Sequence, residues 1–393
     1  MKNGITLTNE EILILELCRL SFTNEQAVRL DQLIRSVADW DYFTFLANEH
    51  GIAALTCHNL EKSGLLKLLP GKAAAFLKNA LMLSLSRNAF HLETISEVLR
   101  ILNNENIKVV LIKGMALELS IYGNSGLRQM SDVDILLSRN DCLHARNILI
   151  SHGYSPLPVK SVLHKLIILD VGKHLPSFLK NGASVEIHHE LFGGNKNMLT
   201  KLLIHSSKAV QVKDERTYIP EPQLFFLYLV KHLSLHEMNN ESQLRLYADL
   251  AGLISNHYDR IINYDLPDYA AMAGMSQILA LNLGSLRGFF GIDFPGWLNN
   301  FIDTWYSPES ADRFVFFLRS PKNNPPTGKY RSYRNTIKEI PGLHRKIVFV
   351  MGDMFPTFHF MKRRYNCKNN LGTIFYYPHR LGKVLWLLKG TKA

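Results

Sequence analysis

Cysteine is scarce in this sequence. Four residues, Cys18, Cys57, Cys142 and Cys367, are scattered along 393 positions without a CxxC pair. This spacing argues against a disulfide framework and against a zinc ribbon or finger. It suits a reducing compartment, so we expect a cytoplasmic protein.

Long apolar runs are also missing. No segment approaches the roughly 20 uninterrupted apolar residues that a transmembrane helix needs. The first residues are polar and lack the apolar core of a signal peptide. The sequence therefore predicts neither a transmembrane segment nor a secretory signal.

Acidic residues are outnumbered by basic ones. The chain has 34 Asp and Glu against 45 Lys and Arg, a formal net charge of +11. Such a surplus is typical of proteins with an anionic partner, such as a nucleotide, a nucleic acid or a membrane surface, although a solvated basic surface explains it equally well. With 47% hydrophobic and 20% charged residues, the chain is globular rather than disordered or fibrous.

Helical periodicity extends over much of the chain and is interrupted by one stretch of strand patterns. The length predicts two or three structural units. We predict an α+β fold, in which a small mixed β-sheet core is flanked by N-terminal and C-terminal helical regions. The predicted boundaries are an N-terminal helical region at 1–105, an αβ core at 106–215, a helical region at 216–320 and a basic, aromatic region at 321–393.

The predicted core alternates strand and helix patterns. Apolar runs at 108–112 and 133–137 predict strands, and Asn181-Gly182 between two runs predicts a hairpin. Thr23 is a candidate helix N-cap. The hairpin strands are expected within 173–180 and 183–189; helices at 10–20, 73–102, 115–122, 141–152, 222–236 and 241–254; and a Pro-rich loop at 320–328.

The core contains a pair of carboxylates at i and i+2, Asp132 and Asp134. Side chains of a strand alternate between faces, so these two project to the same side. Their mutual repulsion is relieved by a cation, and Mg²⁺ prefers carboxylate oxygens together with substrate phosphates. Glu186, on a strand of the hairpin, is the natural third carboxylate. We expect two Mg²⁺ ions here, an arrangement that suits nucleotidyl transfer.

Basic and glycine residues precede the carboxylates. Lys113-Gly114 follows a strand and opens a helix, where free backbone N–H groups attract anions. Arg128, shortly before Asp132, is a fork-shaped donor suited to phosphate. We therefore predict that Lys113, Gly114 and Arg128 hold the phosphates of a nucleoside triphosphate (NTP).

Taken together, these residues resemble the polymerase-β superfamily, and within it the family described as uncharacterised nucleotidyltransferases. The resemblance covers roughly residues 10–380, and its specific motifs lie in 107–190. It implies transfer of a nucleoside monophosphate from an NTP to an unknown acceptor. One departure is that Lys113-Gly114-Met115 replaces the usual Gly-Ser. The matching residues are Lys113-Gly114, Tyr122, Arg128, Asp132-Val133-Asp134, His174, Glu186-Ile187-His188, Arg245 to Asp249, Phe355-Pro356 and Met361 to Tyr365.

Two other functions stay open. The missing Gly-Ser would suit a catalytically inactive binding protein that keeps the fold. The basic, aromatic tail would suit an RNA-modifying, toxin-like transferase, because such residues track a nucleic-acid backbone and stack on bases. The same tail could also lie on a membrane surface or pack as a helix on the core. The acceptor, a small molecule or RNA, and the oligomeric state are not specified.

Several other polar residues near these motifs are open to two interpretations. Arg245 and Asp249 are interpreted as an i, i+4 ion pair on a helix face, although in the family that the sequence resembles this helix covers the active site and either residue could contact substrate. His232 and His236 have metal-ligand spacing but are interpreted as packing or orienting residues, because no third ligand accompanies them. For His174, His188 and His189, a role at the site and a structural role are equally supported.

Overall fold

The computed structural model describes residues 6–20, 22, 24–123, 126–192, 197–239, 243–320, 333–334, 336–338, 340–367 and 369–389. It confirms the predicted α+β class, with one mixed sheet flanked by helices. A single large hydrophobic core joins the helices of the N-terminal half to the sheet and to the later helices, from Leu13 to Leu318.

The N-terminal region is helical, as predicted. Its first helix begins with a capping box, in which Thr8 accepts a hydrogen bond from Glu11 N–H and Glu11 bonds back to Thr8. The long predicted helix forms without interruption. Thr23, the candidate N-cap, lies outside the described residues. The helices are α1 (Asn9–Glu16), α2 (Asn24–Ser36), α3 (Trp40–Glu49), α4 (Ala53–Lys62) and α5 (Gly71–Asn103), with a 3₁₀ turn at Leu66–Leu68.

Seven strands form the sheet, in the order β3-β4-β5-β2-β1-β7-β6. Strand β2 runs parallel to β5 and antiparallel to β1, so the two carboxylate-bearing strands are neighbours. The strands are β1 (Val110–Leu111), β2 (Val133–Leu136), β3 (Ser155–Pro156), β4 (Phe178–Lys180), β5 (Ala183–His188), β6 (Lys208–Val212) and β7 (Glu215–Ile219). The helices between them are α6 (Lys113–Leu117), continued by a π-helical turn (Glu118–Tyr122), α7 (Cys142–Ser151), α8 (Val162–Leu166) and α9 (Asn197–Ser206).

The predicted hairpin is confirmed between β4 and β5. Asn181 and Gly182 both have positive φ, 51° and 87°, which a two-residue turn of this hand requires and which Asn and Gly adopt most readily. The first strand is shorter than predicted, because only Phe178–Lys180 pairs as a strand; His174 forms an isolated bridge to His188.

A second hairpin, β6–β7, escaped prediction. Its turn at Lys213 and Asp214 lacks glycine, although Lys213 has a φ of 53°. Both strands mix polar and apolar residues and are mostly at least partly exposed, so they show no clear apolar alternation. Since β7 pairs in parallel with β1, the sheet runs on to Ile219, past residue 215 where the core was predicted to end.

Helices follow the sheet to the end of the described chain. The last three belong to a segment at 340–389, here called the C-terminal module, which packs on α8 around Ile167, Ile340 and Phe349. Most of the predicted loop at 320–328 lies outside the described residues. Among those described, no helix is long and apolar enough to cross a membrane. The helices are α10 (Pro222–Asn239), α11 (Leu244–Ile261), α12 (Asp265–Met272), α13 (Ser276–Phe290), α14 (Gly296–Asp303), α15 (Pro308–Arg319), α16 (Leu343–Met354), α17 (Phe358–Arg364) and α18 (Asn370–Lys389).

Candidate functional site

The parallel pairing of β2 and β5 brings three predicted or considered side chains together. Asp134 lies directly opposite Glu186 in the register. His188, two residues along β5, places its Nε2 2.8 Å from Asp134 Oδ1 and 3.5 Å from Glu186 Oε2. Ser177 of the hairpin donates a hydrogen bond to Glu186 Oε1 at 2.9 Å. The two carboxylates are therefore held side by side on one face of the sheet.

Lys113 reaches the same two carboxylates from the junction of β1 and α6. Its Nζ lies 2.6 Å from Asp134 Oδ1 and 4.0 Å from Glu186 Oε2. The backbone of Lys113 has a φ of 51°, which is uncommon for a residue with a side chain and often marks a functional site. Burial opposes the charge of Lys113, but the nearby Asp134 outweighs it and raises the pKa of the ammonium group.

The electrostatics of the acids differ. Burial would raise the pKa of Asp134, but Lys113 and His188 hold it well below its usual value. Asp132, just before β2, shows the opposite shift: burial and the charge of Asp134 raise its pKa, although Ser131 donates to it at 3.1 Å. The nearby His188 ring, whose Nε2 lies 3.5 Å from Glu186 Oε2, lowers the pKa of Glu186. Asp132 is thus the acid whose negative charge is least compensated.

A pocket of about 200 Å³ opens over these groups. Five of the six predicted site residues line it; Glu186 is not among the described lining residues and lies beside Asp134 on the neighbouring strand. His232, His236 and Arg245 line the pocket as well, and sequence reasoning had given them mainly structural roles. The lining residues are Lys113, Gly114, Arg128, Gln129, Met130, Ser131, Asp132, Asp134, His232, His236, Arg245 and Leu246.

Arg128 is bound by an acid from a distant helix. Its Nε and Nη2 donate to the carboxylate of Asp249 at 2.8–3.1 Å, and Tyr122 donates to the same carboxylate at 2.8 Å. The interpretation of Arg245 and Asp249 as an ion pair is therefore wrong, since Asp249 faces inward to Arg128. Arg245 instead donates to the Gln129 carbonyl at 2.6 Å. Both arginines are fixed on the pocket wall.

Gly114 allows close packing of this wall. A Cβ added to it would lie 2.6 Å from Arg128 Nη1 and 2.7 Å from Met130 Sδ, closer than side chains approach one another. The absence of a side chain lets the start of α6 approach Arg128. The prediction that Gly114 contacts phosphate directly stays a prediction.

The donor set fits a divalent metal ion. Oxygens of Asp134 and Glu186 and a nitrogen of His188 all lie within 4.8 Å of one another. Carboxylate oxygens are the ligands of Mg²⁺ and Mn²⁺, and imidazole is a common ligand of divalent transition metals. Sequence reasoning had left His188 open between a site role and a structural one. The signal was the Glu-x-His spacing, which puts His188 on the same strand face as Glu186.

Two histidines of α10 close another side of the pocket. The rings of His232 and His236 are 4.5 Å apart, and His232 lies against Tyr228 at 6.2 Å. Burial and the charge of Lys113 hold the pKa of His232 well below its usual value, so that ring stays neutral. The packing interpretation agrees with these contacts, and both rings also face the pocket.

Comparison with known protein families gives a match that covers the site. A family model described as "Uncharacterised nucleotidyltransferase" matches residues 36–291. This range contains all six predicted site residues and ends before the C-terminal similarities at 355–356 and 361–365. None of the curated proteins matches the chain significantly.

Proposed function

The chain belongs to this family of uncharacterised nucleotidyltransferases, and we propose that it transfers a nucleoside monophosphate from an NTP to an acceptor hydroxyl, releasing pyrophosphate. The observation that carries the proposal is the register of β2 and β5, which sets Asp134 beside Glu186, with Asp132 at the pocket and Lys113 and His188 in contact. The acceptor, a small molecule or an RNA, is left open.

Asp132, Asp134 and Glu186, with His188, would hold divalent metal ions, for which we expect Mg²⁺. A bound Mg²⁺ supplies charge that stabilises the transferring phosphate and lowers the pKa of the attacking hydroxyl. The protein's own contribution is rigid placement: the buried strand and the bond from His188 hold Asp134, and the hydrogen bond from Ser177 orients Glu186. This preorganisation avoids the cost of gathering like charges during the reaction.

In the proposed reaction, the acceptor oxygen forms a bond to the α-phosphorus as the bond from that phosphorus to the bridging oxygen of the β-phosphate breaks. Pyrophosphate carries away the electron pair. Glu186 is the candidate to take the proton of the hydroxyl, because its side chain is 18% exposed, against 4% for Asp134. Asp132 and Asp134 would orient the triphosphate through the metal ions.

Lys113 and Arg128 are the proposed phosphate contacts. Since Lys113-Gly114-Met115 replaces the usual Gly-Ser, the start of α6 has no serine hydroxyl to donate a hydrogen bond to phosphate. The Lys113 ammonium group offers a positive charge to the phosphate instead. Arg128 has Nε and Nη2 engaged by Asp249, so its Nη1, which lies next to Gly114, is the group to contact phosphate.

The proposal is tested by calorimetric titration of the full chain with each of the four NTPs, with and without Mg²⁺. We expect Mg²⁺-dependent binding of at least one NTP and about a hundredfold loss of affinity in Asp134→Asn. Asp31→Asn, an exposed acid on α2, is the matched control and should bind as the wild type does. Binding of no NTP, or equal binding by Asp134→Asn, would instead support an inactive binding protein.

A further inference from the structure

The last helix, α18, is oriented with its apolar side outward. Positions 373, 380 and 384 are buried, and these are Thr373, Arg380 and Val384. The opposite side is exposed and almost wholly apolar, with Phe375 exposed by 79% and Leu371 by 71%. Single exposed apolar residues are ordinary, but a continuous helical stripe of them marks an interaction surface. The exposed stripe consists of Leu371, Ile374, Phe375, Pro378, Leu385 and Trp386.

The inward side of α18 is held by polar contacts. Arg380 donates from Nε to the Asp353 carbonyl at 2.9 Å, and its Nη2 lies 3.5 Å from the Asp353 carboxylate. Lys160 also pairs with that carboxylate. Tyr377 donates to the Pro356 carbonyl at 2.9 Å. The helix is therefore fixed in this orientation by specific bonds and does not expose its apolar side through loose packing.

The charge of this part of the chain is strongly asymmetric. Residues 340–393 contain ten Lys and Arg but a single acid, Asp353, which is buried. Arg363 and Arg364 of α17 and Lys383 of α18 are exposed. Tyr365, which follows α17, stacks on Tyr376 of α18 at 4.4 Å, so the basic residues lie next to the apolar stripe. The described residues of this surface are mainly apolar or basic, and none of them carries an exposed carboxylate.

We propose that this surface, α18 with the adjoining basic end of α17, binds a membrane rich in anionic lipids. A helix with one apolar side and flanking cations lies in the plane of the interface, with its apolar side at the acyl chains and its cations at the headgroups. The stripe includes Trp386 and Phe375, which favour this boundary.

The composition of the stripe favours lipid over RNA. Bases stack on planar side chains, whereas Leu371, Ile374 and Leu385 are aliphatic and gain stability only by leaving water. A second copy of the chain is a poorer fit, because two such surfaces would bring like charges together. The positive charge and the apolar character of this surface together therefore favour an anionic lipid surface as the partner. This inference is independent of the proposed transferase activity.

The test is co-sedimentation of the full chain with vesicles of phosphatidylcholine, alone or mixed with phosphatidylglycerol. We expect binding to the mixed vesicles, weak binding to pure phosphatidylcholine, and weakening by salt. The double variant Leu371→Gln/Phe375→Gln should reduce binding about tenfold, because the apolar contacts are lost. Arg363→Gln/Lys383→Gln should reduce binding to the mixed vesicles alone.

The matched control is Met82→Gln/Leu83→Gln on α5, which changes two equally exposed apolar residues outside the C-terminal module and should bind as the wild type does. All variants are checked by thermal unfolding. The proposal is overturned if the wild type does not bind the mixed vesicles, or if the control variant loses binding equally. It is also overturned if the α18 variant instead loses RNA binding or self-association.

Discussion

Two ionic clusters adjoin the pocket, and they differ in how completely their charges are paired. The carboxylate cluster has three acids, Asp132, Asp134 and Glu186. Lys113 pairs with Asp134 and Glu186, and His188 is bonded to Asp134, whereas no ion pair to Asp132 is found among the described residues. Like charges this close are unfavourable unless a cation compensates them. The cluster therefore carries surplus negative charge at the pocket, as a metal site requires.

In the arginine cluster, by comparison, the charges are fully paired. Arg128 pairs with Asp249, which also accepts from Tyr122, and all three are buried. Its charges cancel, and burial of the pair is compensated by several hydrogen bonds. The difference teaches that an acid at this site is not by itself a sign of chemistry. Surplus charge open to a pocket indicates metal binding, whereas the pairing of Arg128 with Asp249 fixes the guanidinium group in place and leaves Nη1 for the phosphate contact proposed above.

The largest expected effect is a loss of stability when the ion pair of the arginine cluster is broken. Asp249→Asn leaves the Arg128 charge buried without its partner, and we expect the free energy of unfolding to fall by about 3–5 kcal/mol. Chemical denaturation measures this. The matched control, Asp31→Asn, breaks a similarly bonded but exposed pair with Arg35 and should change stability very little. Equal effects in the two variants would remove the distinction between the clusters.

A second expected effect concerns Glu118, in the π-helical turn next to the arginine cluster. Burial raises the pKa of Glu118 from 4.5 to about 8, and neither carboxyl oxygen has a hydrogen-bond partner among the described residues. Between these pH values the unfolded chain releases the proton while the folded chain keeps it. Wild-type stability therefore falls as the pH rises through this window.

The neutral variant Glu118→Gln should escape this loss. Its stability advantage over the wild type should be small below pH 4.5, grow with rising pH, and level off above pH 8, where the shift in pKa limits it to about 5 kcal/mol. Thermal or chemical unfolding of both proteins across this range measures the difference. A difference that does not change with pH would show that Glu118 is already ionised in the folded protein.

The smallest expected effect concerns metal and nucleotide affinity at the carboxylate cluster. Lys113→Met removes the ammonium group from Asp134, so a divalent metal meets less repulsion. We expect Mn²⁺ affinity without nucleotide to rise about tenfold, and NTP affinity to fall by a similar factor. Lys108→Met is the control, because Lys108 Nζ contacts the Ile204 carbonyl. If both affinities fall together, Lys113 does not compete with the metal.

Much of the carboxylate cluster followed from local pattern. Alternation on a strand put Asp132 and Asp134 on one side, and Asn181-Gly182 specified the hairpin that carries Glu186. The register that places Glu186 opposite Asp134 depends on strand pairing over the whole sheet. A local sequence pattern does not predict that pairing. His188 shares the face of Glu186 by spacing, but its bond to Asp134 depends on that same register.

The arginine cluster could not be predicted from the sequence. Asp249 is 121 residues from Arg128, and the i, i+4 spacing of Arg245 to Asp249 suggested a local pair that the fold does not make. Burial decided the outcome, because the inward position of Asp249 on α11 faces Arg128. The hairpin β6–β7 was missed for a related reason: its strands are specified by their pairing with each other and by that of β7 with β1, and not by apolar alternation.

The central claim is that the carboxylate cluster binds divalent metal together with nucleotide, and electron paramagnetic resonance of Mn²⁺ tests it most directly. Titration in the presence of an NTP should show tight Mn²⁺ binding by the wild type, with a nitrogen coupling from His188 that disappears in His188→Gln. Asp134→Asn should lose the tight binding. If Asp134→Asn binds Mn²⁺ as tightly as the wild type, the metal lies elsewhere and the claim is wrong.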